Sequence, residues 1–196
     1  MSETFDTERL REDLASLTAW QRVAFAVACV EVLVPSYFRF AALEGVGDPE
    51  FVRDTTDSVW SELERPSFDS SRLPSSATVE EMLPEEDDWN EWAPQAEDAI
   101  AALFYLIELV HSDDVKFAFH AAERSYSAVD EFAAREADLR VLDAAGRAAL
   151  LESPLIQAEL ARQRAALRIL RAASGEPGSV LAELRTSAER HAIGPK

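Results

Sequence analysis

Histidine and cysteine are scarce in this chain of 196 residues, which holds three histidines and one cysteine. A lone Cys29 excludes an internal disulfide, and in a helical apolar run it reads as a buried, inert thiol. With so few of either residue, nucleophile–base pairs have almost no material. No Gly-rich phosphate loop, G-x-S-x-G elbow, H-E-x-x-H or paired C-x-x-C occurs. Glycine and proline are also sparse, at 6 and 9, which fits long helices better than a turn-rich β protein. No basic-then-apolar leader opens the sequence. The longest greasy stretches, Val23 to Val34 and Ala99 to Val110, are interrupted by Glu31 and Glu108. Each falls short of the roughly 20 residues that span a bilayer.

Positive charge is the other deficit. Lys and Arg number 19 against 37 Asp and Glu, a formal net charge of -18. Such a surface repels phosphate backbones and anionic headgroups, so neither nucleic acid nor membrane is an expected partner. The acid is concentrated early. Residues 132–196 carry 10 Lys+Arg against 8 Asp+Glu, which leaves 9 against 29 in the first 131. The expectation is a cytoplasmic protein with a well-solvated acidic surface; the sharper reading is an acidic face for a basic partner or for the chain's own basic tail.

What the chain has in quantity is helix. Apolar residues make up 47%, and Ala, Leu, Glu and Arg dominate, all strong helix formers. Asp6 or Thr7 caps a first helix carrying Leu10, Leu14 and Leu17. Thr18 and Gln21 form a capping box for the second. That second helix is apolar nearly all round, with Trp20, Val23, Val27, Val34 and Phe38 on one face and Phe25, Cys29 and Val32 on the other, so it is central. Pro35 predicts a kink. Gly45 and Gly47 stop it, and Asp48-Pro49 starts a helix with Val52, Thr56, Val59, Trp60 and Leu63 inward. Residues 65–76, RPSFDSSRLPSS, read as a loop, after which Ser76 or Thr78 caps a short helix. PEEDDWNEW, from Pro84 to Trp92, is an acidic loop with at least one core tryptophan. After Pro94 comes a helix to about His111. Ser112 or Asp113 caps the next, whose stripe is Val115, Phe119, Ala122, Tyr126, Val129 and Ala133. A short piece from Ala144 to Leu151 precedes a start at Ser153-Pro154, and Ser179 opens the last helix after a Gly175–Gly178 turn. The fold expected is all-α, a single-domain bundle of about seven to nine helices over residues 1–196, with no strand-like alternation.

Trp20-Gln21, Cys29-x-Glu31, Pro35-x-Tyr37, Gly45-x-Gly47-Asp48 and Trp60 occur in an order and spacing that resembles the YjaG-like family, bacterial domain-of-unknown-function family 416. Pro94-x-x-x-Asp98-Ala99, Leu106 to Ser112, Ser153-Pro154 and Ile193-Gly194 extend the resemblance over nearly the whole chain. His191-Ala192 stand where the pattern has Ser-Asn. The resemblance implies a bacterial, all-helical single domain and implies no activity.

The candidate ligand-binding residues are Glu31, Asp98, Glu108 and His111. A carboxylate on a greasy face must be paired, protonated or wet. For Glu31 the expected partner is an arginine, a Trp N–H or a Tyr hydroxyl from a neighbouring helix. Glu108-Leu-Val-His111 has the E-x-x-H spacing of di-iron bundles, but such sites need a second copy and two more glutamates, and the sequence supplies one copy. His111 fits better as a favourable charge near a helix C-terminus. Arg53 and Asp57 read as an i, i+4 surface pair. Arg164, Arg168 and Arg171 share a face that docks on the acidic half, with a phosphate site as the bolder reading. No metal or cofactor is expected. The leading functional expectation is a non-catalytic interaction or regulatory protein, with a protein partner or a homo-oligomer built through an apolar patch. The alternatives are a small-molecule- or metal-binding helical domain centred on the four candidates, enzymatic or not, and a mimic of nucleic-acid phosphates.

Overall fold

The computed structural model describes residues 2–84, 90–139, 143–173 and 177–194. Among these residues there are nine α-helices and no strand: α1 (Thr7–Ala15), α2 (Ala19–Glu44), α3 (Pro49–Leu63), α4 (Ser76–Glu80), α5 (Ala93–Ser112), α6 (Val115–Glu136), α7 (Ala144–Leu151), α8 (Pro154–Ala172) and α9 (Pro177–His191). The expected all-α bundle is the fold observed.

α2 is its axis. Val23 through Val34 are all buried, Glu31 included. The antiparallel pair α5 and α6 covers one side of α2, while α3, α8 and α9 close the rest. The helix is longer than its greasiest run, because it continues through Pro35 to Glu44. It therefore contains an 18-residue window of mean hydropathy 1.6, long and apolar enough to cross a bilayer. This corrects the count that stopped at Val34. In the fold, 83% of that window is packed inside protein. Near Pro35, which offers no N–H to the ladder, carbonyls take other donors. Ser36 Oγ donates to Leu33 O at 2.6 Å, and the Ile193 amide donates to Val32 O at 3.1 Å. The C-terminal segment is thereby anchored on α2, with Ile193 buried.

The corner after α2 has a steric explanation. Gly45 caps the helix at φ 72 and Gly47 lies at φ 82. A Cβ on Gly47 would sit 2.4 Å from Tyr37 Oη, and that hydroxyl accepts the Asp48 amide at 3.2 Å. Tyr37, Gly47 and Asp48 are thus one device that turns the chain into α3.

Several boundaries differ from the sequence expectation. Ser75 rather than Ser76 or Thr78 caps α4. Asp114 caps α6, because Asp113 adopts the left-handed conformation that ends α5. α9 begins at Pro177 rather than Ser179, a proline at the first turn costing no hydrogen bond. The 65–76 loop contains one 3-10 turn, Ser70–Arg72. Trp92 is core, its ring 5.6 Å from that of Phe132 and tilted by 33°. Glu85 to Trp89 and Gly175 lie outside the described residues.

Candidate functional site

Glu31 projects from the middle of α2 toward α3. Arg53 and Trp60 are seven residues apart on α3, two turns along one face, and so both reach it. Arg53 grips the carboxylate with both terminal nitrogens, Nη1 to Oε1 at 2.6 Å and Nη2 to Oε2 at 2.9 Å. Trp60 Nε1 donates to Oε2 at 2.8 Å. Two of the three partner types expected from the sequence, an arginine and a Trp N–H, are present at once. Asp57 accepts from Arg53 Nη2 at 2.9 Å and from Arg185 Nη2 of α9 at 2.5 Å. Arg185 Nε lies 4.0 Å from Glu31 Oε2 and 3.4 Å from Glu189. Burial works against the Arg53 charge, yet the hydrogen bond and charge of Glu31, with Asp57, hold its pKa above the ordinary arginine value. The result is a closed ionic clasp joining α2, α3 and α9. It assigns Asp57 a second partner beyond the i, i+4 pair.

A second polar centre was missed in the sequence. Glu159, Arg162 and Gln163 of α8 are buried in the core. Glu159 Oε2 accepts from Arg162 Nε at 2.6 Å. Its Oε1 accepts from Arg162 Nη2 at 2.6 Å, Gln163 Nε2 at 2.7 Å and Ser125 Oγ at 2.8 Å. Arg162 also donates to Ala28 O at 3.2 Å and approaches Cys29 Sγ at 3.6 Å. Burial alone would raise the Glu159 pKa. The Arg162 charge and the hydrogen bonds outweigh it and lower it. Burial pushes the Cys29 thiol up to about 11, so it stays protonated at neutral pH. The signal available was position: Glu159 and Gln163 fall on the stripe that runs through Ile156, Ala166 and Leu170.

Two further carboxylates are buried. Glu62 meets Arg65 at 3.0 Å, Arg72 at 3.2 Å and the Asp69 amide at 3.2 Å, tying the 65–76 loop to α3. Asp98 meets Arg124 of α6 at 3.0 Å. Its pKa rises to about 7, chiefly by burial, with Glu131 and Glu97 adding to the effect and Arg124 opposing it.

Glu31 and Asp98 therefore have separate surroundings. Glu31 is held by α3 and Asp98 by α6. Glu108 is half-buried on α5. His111 is exposed, its Nε2 3.2 Å from Pro74 O. Asp98 and Glu108 are ten residues apart on one helix, about 15 Å along its axis, too far for one ligand atom to touch both. Among the described residues no group of three or more His, Cys, Asp or Glu side chains is placed to hold a metal ion.

Comparison with known proteins agrees with this architecture. Over 103 residues the chain is 33% identical to "Uncharacterized protein YjaG" of Escherichia coli (strain K12), a match that spans 50% of each sequence, so about half the length of that relative is covered. The crystal structure of a DUF416 family protein from Shewanella baltica OS155 superposes with a TM-score of 0.79 at 20% identity, covering 98% of this chain and 97% of that one. At that identity the likeness is one of fold. The family model described as "Protein of unknown function (DUF416)" matches residues 9–194, nearly the whole chain, and the protein belongs to that family.

Proposed function

We propose that this protein is a non-catalytic helical interaction protein whose acidic exterior recognises a basic partner. The observation that carries the reading is that the buried carboxylates Glu31, Glu62, Asp98 and Glu159 each meet an arginine of the same chain. Catalytic acids and bases need a free face toward a substrate. Here those faces are spent on joining helices and, at Glu62, on tying down the 65–76 loop, and the charge left over is outside. α3 concentrates some of it. Glu50 and Asp54 are exposed along one side of that helix, and the exposed cap residue Glu64 follows its end, at spacings of four and ten residues. A long-lived complex with a basic protein would be steered by such a stripe.

The test is affinity capture by the purified chain, followed by reconstitution with the recovered partner in pure form. Binding should weaken steeply between 50 and 500 mM salt, and the triple variant Glu50→Lys, Asp54→Lys, Glu64→Lys should lose it. The reading fails if no partner survives physiological salt, or if the triple variant binds as well as the parent. The homo-oligomer form is separated from it by light scattering on the chain alone. The large apolar side chains exposed among the described residues are Leu43, Val46 and Leu155.

A further inference from the structure

α1 packs on α6, and the seam between α1 and α8 is open. Two contiguous cavities occupy it. One, of about 480 Å³, has an apolar wall of Phe5, Leu10, Leu160 and Leu167. The other, of about 410 Å³, shares Leu167 and carries Arg9, Arg164, Arg168 and Arg171. Either volume lies in the range of small-molecule sites, which pair an apolar body with a few placed polar groups.

The second cavity runs against the net charge of the molecule, whereas the first is lined by Glu3, Asp6 and Asp13 against Arg9 and Arg164. The second cavity is lined by four arginines and two carboxylates, Glu3 and Asp13, on a chain whose net charge is -18. Asp13 is committed to Arg171 at 2.7 Å. Glu3 comes from the segment before α1 and ion-pairs with Arg164. That segment is held by a reciprocal pair of bonds, Glu3 N–H to Gln157 Oε1 at 3.0 Å and Gln157 Nε2 to Glu3 O at 2.9 Å. Arg168 is exposed on the rim. Partial burial, and after it the Arg168 charge, lower the Arg164 pKa.

From this geometry we infer that the α1–α8 seam is a binding site for a small amphipathic anion. Its carboxylate or phosphate head sits between Arg164 and Arg168, displacing the Glu3 side chain, and its short apolar chain lies against Phe5, Leu10, Leu160 and Leu167. Glu3 acts as an internal stand-in for the head group. A guanidinium holds either head in the same way, through paired N–H donors, so the two are distinguished by experiment. This site is independent of the acidic face of α3 and stands or falls separately from it.

The test is calorimetric titration of the full chain with octanoate and with octyl phosphate, below their micelle concentrations. Octanol, octyltrimethylammonium and inorganic phosphate serve as controls. At least one octyl anion should bind at micromolar to low millimolar concentration, and the tighter of the two identifies the head. Octanol and the cation should bind at least tenfold more weakly. Arg168→Glu, a change on the exposed rim, should weaken the anion about tenfold with the thermal midpoint unchanged, the size expected for reversing one close charge. Glu3→Gln should tighten it, because the competing carboxylate is gone. The inference is overturned if neither octyl anion binds, if octanol binds as well as octanoate, or if inorganic phosphate binds as tightly as octyl phosphate. It is also overturned if Arg168→Glu leaves the anion's affinity unaltered.

Discussion

An arginine with almost no access to water, as Arg162 is, persists only because its charge is answered within hydrogen-bond reach. Removing one partner should therefore cost far more than removing both. Arg162→Met leaves Glu159 ionised in the core, and urea denaturation should show a loss of about 3–5 kcal/mol. The double variant Glu159→Leu, Arg162→Met should recover at least half of it. An additive double variant would show that the pair is not coupled. Asp98 gives a second test, through pH. Its folded pKa is raised to about 7 from 3.8, so the folded state holds the proton more tightly than the unfolded chain. The associated stability is complete below the unfolded value and disappears as pH rises through 7. Asp130 and Glu131 shift the same way, chiefly by burial, whereas Glu159, shifted down, titrates below this window. The thermal midpoint should fall between pH 5 and 8, and Asp98→Asn should flatten the fall. Superimposable profiles for variant and parent would show that Asp98 does not titrate there. Glu31 was legible because one carboxylate on a greasy face demands a partner, and the kind of partner followed from chemistry. Which arginine answers it was not legible. Local spacing gave Arg53 to Asp57, and only the packing of α3 on α2 turns the same guanidinium inward. Arg162 was missed because its neighbours Arg164, Arg168 and Arg171 drew the basic stripe to the outside of α8.

Turns and caps govern how the helices are joined. Four of the nine described starts could be read directly from their caps, since Asp6, Thr18, Asp48 and Ser153 each bond an amide of the helix they precede. Apart from α9, which begins at Pro177, the misplaced starts lie where suitable residues follow one another. Ser75, Ser76 and Thr78 all qualify, as do Ser112, Asp113 and Asp114, and the rule for a cap cannot rank them. What ranks the second set is the left-handed Asp113 at φ 55, which ends α5 and leaves Asp114 to begin α6. At the α2–α3 corner the requirement is stricter. Gly47→Ala brings both an unfavourable φ and a clash with Tyr37 Oη, and should destabilise the fold by about 1–3 kcal/mol. The two contributions separate in a Tyr37→Phe background, which removes the clashing oxygen and keeps the φ penalty. There the same substitution should cost less, by about 0.5 kcal/mol or more in a double-mutant cycle. An equal cost in both backgrounds would mean that the tyrosine does not select the glycine.

Across the whole molecule the dominant quantity is charge. A net charge of -18 means that long-range repulsion opposes the compact state, while the pairs that hold the bundle differ in how salt affects them. Glu159–Arg162 is shielded from ions, with 2% and 1% of its side-chain surfaces exposed. Glu31 is likewise buried beneath Arg53. Lys116–Asp114 is an exposed pair and Arg171–Asp13 a partly exposed one, and such pairs contribute little even unscreened. Raising ionic strength from about 10 to 150 mM shortens the screening length from about 30 to 8 Å. Over that interval repulsion among dispersed carboxylates should fade, and the buried pairs should keep their strength. The thermal midpoint should therefore climb by a few degrees with sodium chloride and level off above about 150 mM. Sodium sulfate at equal ionic strength separates screening from salt-specific strengthening of apolar burial, since only the latter adds to the climb. A midpoint that falls with added chloride would place the balance in the exposed pairs instead, and the acidic exterior would then be a set of structural links rather than a free surface for recognition.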